Sequence, residues 1–264
     1  MRQPGATLSI LEYLMFSNLL LLAFLAMSVF FGTAQELTVA AAADLSSVLP
    51  EIAAQYKKGG GQEIKFSFGS SGNLTTQIQN GAPFDLFFSA DENYPKQLIE
   101  QGLGDKDTLY RYAVGRLVTW VPKGSLSKFE RRGLAALVDA GCTRIAIANP
   151  KFAPYGRAAE AALKHGGIYD AVAARLVVGE NVSQAAQFLE SGNATCGLIP
   201  LSHALRMKSS GEYWEVPLDA YPTLNQAAVV LTHSRQRDSA RKFLESLRTP
   251  EATSLLRRYG FTLP

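Results

Sequence analysis

Short apolar runs alternate with segments of helical periodicity in the chain after residue 35. The first runs have the residue types of strands, and they lie at 36–42, 63–68 and 85–90. The segments between and after them predict helices at 48–58, at 73–80, and from the capping residue Asp91 to near Gly102. This order of strand, helix, strand, helix and strand predicts a parallel sheet that is covered by helices.

A second block of the same kind follows. Its predicted strands lie at 117–121, 144–148, 176–178, 196–199 and 227–231. Its predicted helices lie at 156–164, at 182–190 with Asn181 as the cap, and at 239–258 in two pieces around Pro250. Because no proline- or serine-rich linker separates the blocks, we predict an α/β protein of two lobes joined by short crossovers. We expect 35–116 and 223–264 to form lobe 1, and 117–222 to form lobe 2.

The N-terminal segment has a different pattern. Residues 19–31 read LLLLAFLAMSVFF, small residues follow as far as Ala34, and Arg2 lies ahead of the run. This is typical of a secretory signal peptide, so residues 1–34 are predicted to be removed on export. A retained membrane anchor is the alternative, since the apolar stretch approaches the ~20 residues that span a bilayer. No cysteine lies near the boundary, which excludes a lipid-anchored cysteine.

The composition excludes several classes of protein. The 264 residues are 47% hydrophobic and 19% charged, with a net charge of +3, so the chain is apolar enough to fold and is not disordered. No basic run is present to bind a phosphate backbone, so nucleic acid is not an expected partner. The three histidines and two cysteines are too widely spaced for a zinc site. Cys142 lies just before one predicted strand and Cys196 begins another, and either a disulfide or two separate buried thiols would fit.

Four turns share one arrangement, in which an apolar strand is followed by small or capping residues and then by a helix. They lie at 43–46, 69–72, 154–156 and 179–182. Helix N-termini present unpaired N–H groups and attract anions. Two of the turns fall in each predicted lobe, so a cleft between the lobes could bring all four around one small anion.

A hydrolase is the main alternative reading of the second turn, because a serine between a strand and a helix resembles a nucleophile elbow. The Gly-x-Ser-x-Gly pattern is absent around Ser70 and Ser71, however. We therefore predict that the protein is not an enzyme.

The sequence resembles the periplasmic molybdate-binding proteins of ABC importers over nearly all of 36–264. The resemblance is carried by TVAAAADL (38–45), FGSSGNL and QIQNGAPFDLFFSADE (68–92), IANPKFAPYG (147–156), GENVSQA (179–185) and RRYGFTLP (257–264). It implies the type II fold of periplasmic binding proteins, with the ligand in the cleft between the lobes. It also implies a permease of an ABC transporter as partner. We expect a monomer that needs no cofactor.

The ligand positions of the family fall on Asp44, Ser71, Tyr155 and Val182 of this chain. Ser71 matches the family, Tyr155 fits one branch of it, and Val182 would donate through its backbone N–H. Asp44 departs from the usual Ser, Thr or Asn. A tyrosine that binds the ligand in another branch aligns with Pro200, so that contact is absent here.

The resemblance predicts high-affinity binding of molybdate, and of tungstate, which is almost identical in size. Molybdenum would bind as this oxyanion and not as a bare cation. Another oxyanion such as sulfate or phosphate, or an organic acid, remains the alternative ligand, and only Arg157 lies near the cleft for pairing with a carboxylate. A membrane-tethered sensor that keeps residues 1–34 is a further alternative.

Asp44 leaves three outcomes open, because a carboxylate close to a dianion is repelled by it. The side chain could turn away and cap its own helix, which leaves the backbone N–H for the anion. It could be protonated or bridged by water beside the ligand. It could also coordinate the molybdenum directly.

Overall fold

The computed structural model describes residues 36–125 and 132–264 of the chain. The predicted signal peptide, residues 1–34, lies outside the described residues. In the described ranges, no helix is both long enough and apolar enough to cross a membrane.

Two five-stranded sheets organise the described part of the chain. Their strands are β1 (Leu37–Ala42), β2 (Ile64–Gly69), β3 (Leu86–Ser89), β4 (Tyr110–Gly115), β5 (Leu117–Pro122), β6 (Ile145–Ala148), β7 (Leu176–Gly179), β8 (Cys196–Pro200), β9 (Gly211–Glu215) and β10 (Leu224–Val230). Sheet 1 has the order β2-β1-β3-β10-β4, and sheet 2 has the order β7-β6-β8-β5-β9.

The two sheets follow the same plan. In sheet 1, β1 pairs in parallel with β2 and β3, while β10 is antiparallel to both β3 and β4. In sheet 2, β6 pairs in parallel with β7 and β8, while β5 is antiparallel to both β8 and β9. Four of the five strands in each sheet therefore run in one direction. The predicted α/β fold with mostly parallel sheets is confirmed.

Helices cover both faces of each sheet and close the core. They are α1 (Val48–Lys58), α2 (Ser71–Gln79), α3 (Asn93–Glu100), α4 (Pro154–His165), α5 (Tyr169–Val172), α6 (Val182–Glu190), α7 (Leu201–Arg206), α8 (Arg237–Ser246) and α9 (Pro250–Arg258). We use lobe 1 for sheet 1 with α1–α3, α8 and α9, and lobe 2 for sheet 2 with α4–α7. The predicted lobe boundaries at 116/117 and 222/223 stay a prediction.

Local sequence explains where the helices next to the cleft begin. The Asn181 side chain accepts hydrogen bonds from the backbone N–H groups of Ser183 and Gln184, so it caps α6 as predicted. Helix α2 begins at Ser71, two residues earlier than predicted. Ser47 takes the N-cap position of α1, but its side chain makes no capping hydrogen bond.

A disulfide joins Cys142 to Cys196 in lobe 2. Both residues are fully buried, and their Cα atoms are 5.7 Å apart. This distance lies in the usual range for a disulfide. The bond ties the segment before β6 to the first residue of the neighbouring strand β8. Of the two arrangements that the sequence left open, the structure has the disulfide.

The direction of the strands determines where a ligand can reach the protein. The carboxyl ends of β1, β2 and β3 in lobe 1 and of β6 and β7 in lobe 2 lead into the turns before the helices. In an α/β sheet, ligands bind at this edge. These five strand ends meet in the cleft between the lobes.

Candidate functional site

A small cavity lies where the strand ends meet. Its volume is about 10 Å³ when counted as room for the centre of a water molecule, and it is lined by residues 42–44, 69–71, 153–155 and 181–182 together with Ala90. The structure thus brings Asp44, Ser71, Tyr155 and Val182, the four predicted ligand residues, around one space. The volume is below the ~300 Å³ at which sites for drug-sized molecules begin, so the cavity suits a small ligand.

Two serines form the start of α2 beside the cavity. Ser71 Oγ accepts a hydrogen bond from the backbone N–H of Ala90 at 3.0 Å, so its own proton remains available as a donor. Ser70 is 4% exposed, and its Oγ has no hydrogen-bond partner. A buried hydroxyl without a partner is costly, so Ser70 is a second candidate donor at this helix start.

Two helix starts of lobe 2 face the same cavity. Helix α4 begins with Pro154 and Tyr155, and a proline in this position has no N–H to leave unpaired. At the start of α6, the Asn181 side chain accepts hydrogen bonds from the backbone N–H groups of Ser183 and Gln184. The first N–H of a helix has no partner within the helix, so the N–H of Val182 is available to a ligand.

Asp44 lies in the 3₁₀ turn Ala43–Leu45 and is 1% exposed. Its Oδ2 accepts a hydrogen bond from Gln226 Nε2 at 2.6 Å, whereas its Oδ1 is buried without a partner. The Asp44 backbone carbonyl accepts a hydrogen bond from Ser202 Oγ across the cleft at 2.9 Å. The first of the three expected outcomes needs this carboxylate to turn away and cap its helix. The structure instead joins it to Gln226.

Gln226 is the centre of a buried polar network that the sequence analysis missed. Its Nε2 also lies 3.3 Å from Tyr155 Oη, and its Oε1 accepts a hydrogen bond from Tyr112 Oη at 2.9 Å. The pairing of β10 with β4 shifts between Gln226 and Ala227, which leaves Tyr112 as the extra residue of a β-bulge. Bulges redirect side chains, and this one lies where Tyr112 and Gln226 meet.

Burial dominates the electrostatics of the network. It raises the pKa of Asp44 from 3.8 to about 6, although the hydrogen bond from Gln226 and the nearby hydroxyl of Tyr155 lower it. Burial and the charge of Asp44 raise the pKa of both Tyr112 and Tyr155 well above 10, so both stay neutral. A carboxyl with a raised pKa stabilises the fold most below pH 3.8, and this contribution is lost as the pH rises through about 6. At neutral pH the free energy of unfolding is therefore lower by about 3 kcal/mol than it is when Asp44 is protonated.

Comparisons with known proteins show which family the chain belongs to. The family model described as bacterial extracellular solute-binding protein matches residues 37–262. The chain belongs to this family.

Two curated relatives of this solute-binding protein are named molybdate-binding protein ModA. The one from Rhodobacter capsulatus is 36% identical over 87% of this chain and 89% of its own length. The one from Azotobacter vinelandii is 37% identical over 87% of this chain and 91% of its own length. The solved periplasmic molybdate-binding protein of Azotobacter vinelandii superposes with a TM-score of 0.81 at 34% identity, over 87% of this chain and all of that one. The predicted resemblance to the molybdate-binding proteins is confirmed.

The lobes of this solute-binding protein contact each other at the rim of the cavity. The backbone N–H of Gly72 donates to the carbonyl of Phe152 at 2.9 Å. Beside it, Asn73 Nδ2 donates to Glu180 Oε1 at 3.2 Å. The two hydrogen bonds join the first turn of α2 in lobe 1 to two loops of lobe 2, so the distance between the lobes is fixed by direct contact at the cleft.

Arg157 forms a second contact between the lobes. Its guanidinium donates to Asp91 Oδ2 at 2.7 Å and to Tyr94 Oη at 3.0 Å. The sequence analysis noted this residue as the arginine near the cleft. Because Asp91 holds the guanidinium at the rim, we do not assign Arg157 to the binding of an anion in the cavity.

Two further residues have structural roles. Pro200 ends β8 and precedes α7. His203 is buried between Ser183 Oγ and Ser202 Oγ, and burial lowers its pKa to about 3, so it stays neutral. In the ranges 36–125 and 132–264, no group of three or more His, Cys, Asp or Glu residues is placed to hold a metal ion.

Proposed function

We propose that this protein binds molybdate, and tungstate with it, outside the cytoplasm and delivers the anion to the permease of an ABC transporter. One observation carries the proposal. Helix starts from both lobes and the hydroxyls of Ser70 and Ser71 converge on one small cavity, and no Lys, Arg or His side chain lines it among the described residues. The curated relatives named molybdate-binding proteins support the choice of anion.

The chemistry of these groups suits a dianion that carries no proton. Hydroxyl and backbone N–H groups can all donate to its oxygens, and hydrogen bonds to a charged acceptor are about twice as strong as neutral ones. Phosphate carries a proton near pH 7, so its own O–H donor would face a donor of the site and one hydrogen bond would be lost. Sulfate matches the charge of molybdate but has shorter bonds, so the size of the cavity has to exclude it.

Competition calorimetry tests this proposal on protein purified from the periplasm of an expression host. We expect molybdate and tungstate to compete for one site per chain. Sulfate should bind at least ~10-fold more weakly, because its smaller radius leaves a charge-assisted hydrogen bond long or unmade. Equal binding of sulfate and molybdate would overturn the assignment.

Hydrogen phosphate is the second candidate ligand, and one specific observation favours it. Asp44 Oδ1 is a buried acceptor without a partner, and a protonated oxyanion could donate to it. The same titration discriminates the two candidates, since a phosphate-binding protein would be saturated by phosphate in the presence of molybdate.

Ser70 is predicted to be an additional ligand residue. Replacing it with alanine should weaken molybdate binding about 10-fold, because one hydrogen bond to the charged ligand is lost. Ser46→Ala is the matched control, since Ser46 is a half-buried serine of the neighbouring turn that does not line the cavity. Equal molybdate affinity of wild type and Ser70→Ala in calorimetry would remove Ser70 from the site.

The route of export and the transport partner follow from the same function. We infer that residues 1–34 direct export and that cleavage after Ala34 releases the binding protein. It acts as a monomer, carries out no chemical reaction and needs no cofactor. Capture and release of the anion are its whole function, and the permease is the partner that receives it.

A further inference from the structure

Asp44 presents an acceptor to a cavity whose other candidate ligand groups are donors. The serine hydroxyls and the N–H of Val182 can each donate to an anion, whereas Asp44 Oδ1 is buried and receives no hydrogen bond. An ionised carboxylate beside a dianion is repelled, and burial strengthens the repulsion. A proton between Asp44 and the anion would turn this repulsion into a hydrogen bond.

Gln226 determines which oxygen of Asp44 can carry that proton. Its Nε2 donates to Oδ2 at 2.6 Å, and its Oε1 is held by the hydroxyl of Tyr112. This pair of bonds orients the amide with its N–H toward Asp44. Oδ2 is therefore occupied as an acceptor, and Oδ1 is the oxygen that is free to be protonated.

The groups next to Asp44 carry no positive charge that could neutralise its carboxylate in place of the proton. Tyr155 and Tyr112 face Asp44 from α4 and β4, and both stay neutral because burial raises the pKa of each. His203, reached through Ser202 from α7, also stays neutral because burial lowers its pKa. Within the described part of the chain, no Lys or Arg pairs with Asp44. Asp44 is thus the group in this set that can change its charge near neutral pH.

We propose that Asp44 takes up one proton from the solvent when the anion binds and holds it on Oδ1, so that it binds the ligand as a neutral donor. The inference rests on the proposed function. The proton comes from water or buffer, and the anion enters and leaves as an unchanged dianion.

Proton uptake by Asp44 makes the affinity for molybdate depend on pH in a defined way. Above about pH 6, the free protein holds Asp44 ionised and the complex holds it protonated, because the bound dianion raises the pKa of Asp44 further. The dissociation constant should therefore rise about 10-fold for each pH unit between 7 and 8. Below about pH 6, Asp44 is already protonated in the free protein and the dependence should level off.

Calorimetry on the wild-type protein purified from the periplasm tests this directly. Molybdate is titrated at pH 7.5 in HEPES, Tris and imidazole, whose ionisation enthalpies differ, and the slope of the observed enthalpy gives the protons exchanged. We expect uptake of about one proton per anion. Tight binding with no proton uptake would overturn the inference and leave the proposed function intact. Absence of any molybdate binding would remove the proposed function and the inference with it.

Two variants assign the proton to its residue. Asp44→Asn keeps the shape of the side chain and offers a donor that needs no proton, so its molybdate binding should show no proton uptake and no pH dependence. Asp105→Asn changes a carboxylate that pairs with Arg241 on the surface, and it should keep the wild-type proton uptake. Proton uptake that persists in Asp44→Asn would assign it to another group and overturn the inference.

Discussion

Replacing Gly72 with alanine is expected to weaken molybdate binding about 100-fold while leaving each lobe as stable as before. A Cβ on Gly72 would lie 2.8 Å from the carbonyl oxygen of Phe152 in lobe 2 and 2.9 Å from Tyr94 Oη. The first of these atoms is backbone and cannot rotate away, so the lobes must separate. The N–H groups of lobe 2 then move away from the anion, and weakening two charge-assisted hydrogen bonds costs about 3 kcal/mol.

Measuring the melting temperature beside the molybdate affinity separates an effect on closure of the cleft from an effect on folding. Gly72 lies in the first turn of α2, where alanine is a better helix former than glycine, so the melting temperature without ligand should not fall. Gly59→Ala is the matched control, because a Cβ at that helix end meets no atom closer than 3.4 Å. Wild-type affinity in Gly72→Ala would mean that the contact between the lobes does not limit binding.

Loss of the Cys142–Cys196 disulfide is expected to lower the free energy of unfolding by about 2–4 kcal/mol. The bond closes a loop with a sequence separation of 54 residues, and opening it restores conformational freedom to the unfolded chain. Both cysteines are fully buried in the packed core of lobe 2, so the folded state should keep its structure.

Urea unfolding with and without a reductant measures this effect. The Cys142→Ala, Cys196→Ala double variant should unfold at the urea concentration of the reduced wild type and should not respond to reductant. Molybdate affinity should change little, because neither cysteine lines the cavity. Unchanged stability after complete reduction, verified by mass spectrometry, would contradict the expectation.

The sequence predicted the strands inside the sheets and the edge strands β2 and β7, but it missed β4 and β9. Both lie at a sheet edge, β4 in sheet 1 and β9 in sheet 2. An edge strand has a neighbour on one side only, so it tolerates charged residues such as Arg111 and Glu212. The apolar pattern that identifies a buried strand is then too weak to detect.

The candidate site was predicted in part. Helix starts are local features, so the sequence could place the turns at 69–72, 154–156 and 179–182 around one ligand. The family resemblance then singled out Ser71, Tyr155 and Val182 within these turns. Gln226 could not be placed there, because its contact with Asp44 joins residues that are far apart in the chain. One signal was present, since Gln226 is a polar residue in the apolar strand β10. Such a residue is buried only when it has hydrogen-bond partners.

The position of β10 has a consequence for the order in which the protein can fold. All strands of sheet 2 lie between residues 117 and 215, whereas sheet 1 needs β10, which follows them in the chain. During synthesis from the N-terminus, the chain can therefore complete sheet 2 first. Until β10 is made, one edge of β3 remains unpaired. An open edge of this kind can pair with the same strand of another copy. The last 41 residues thus decide whether sheet 1 is completed within one molecule or between two.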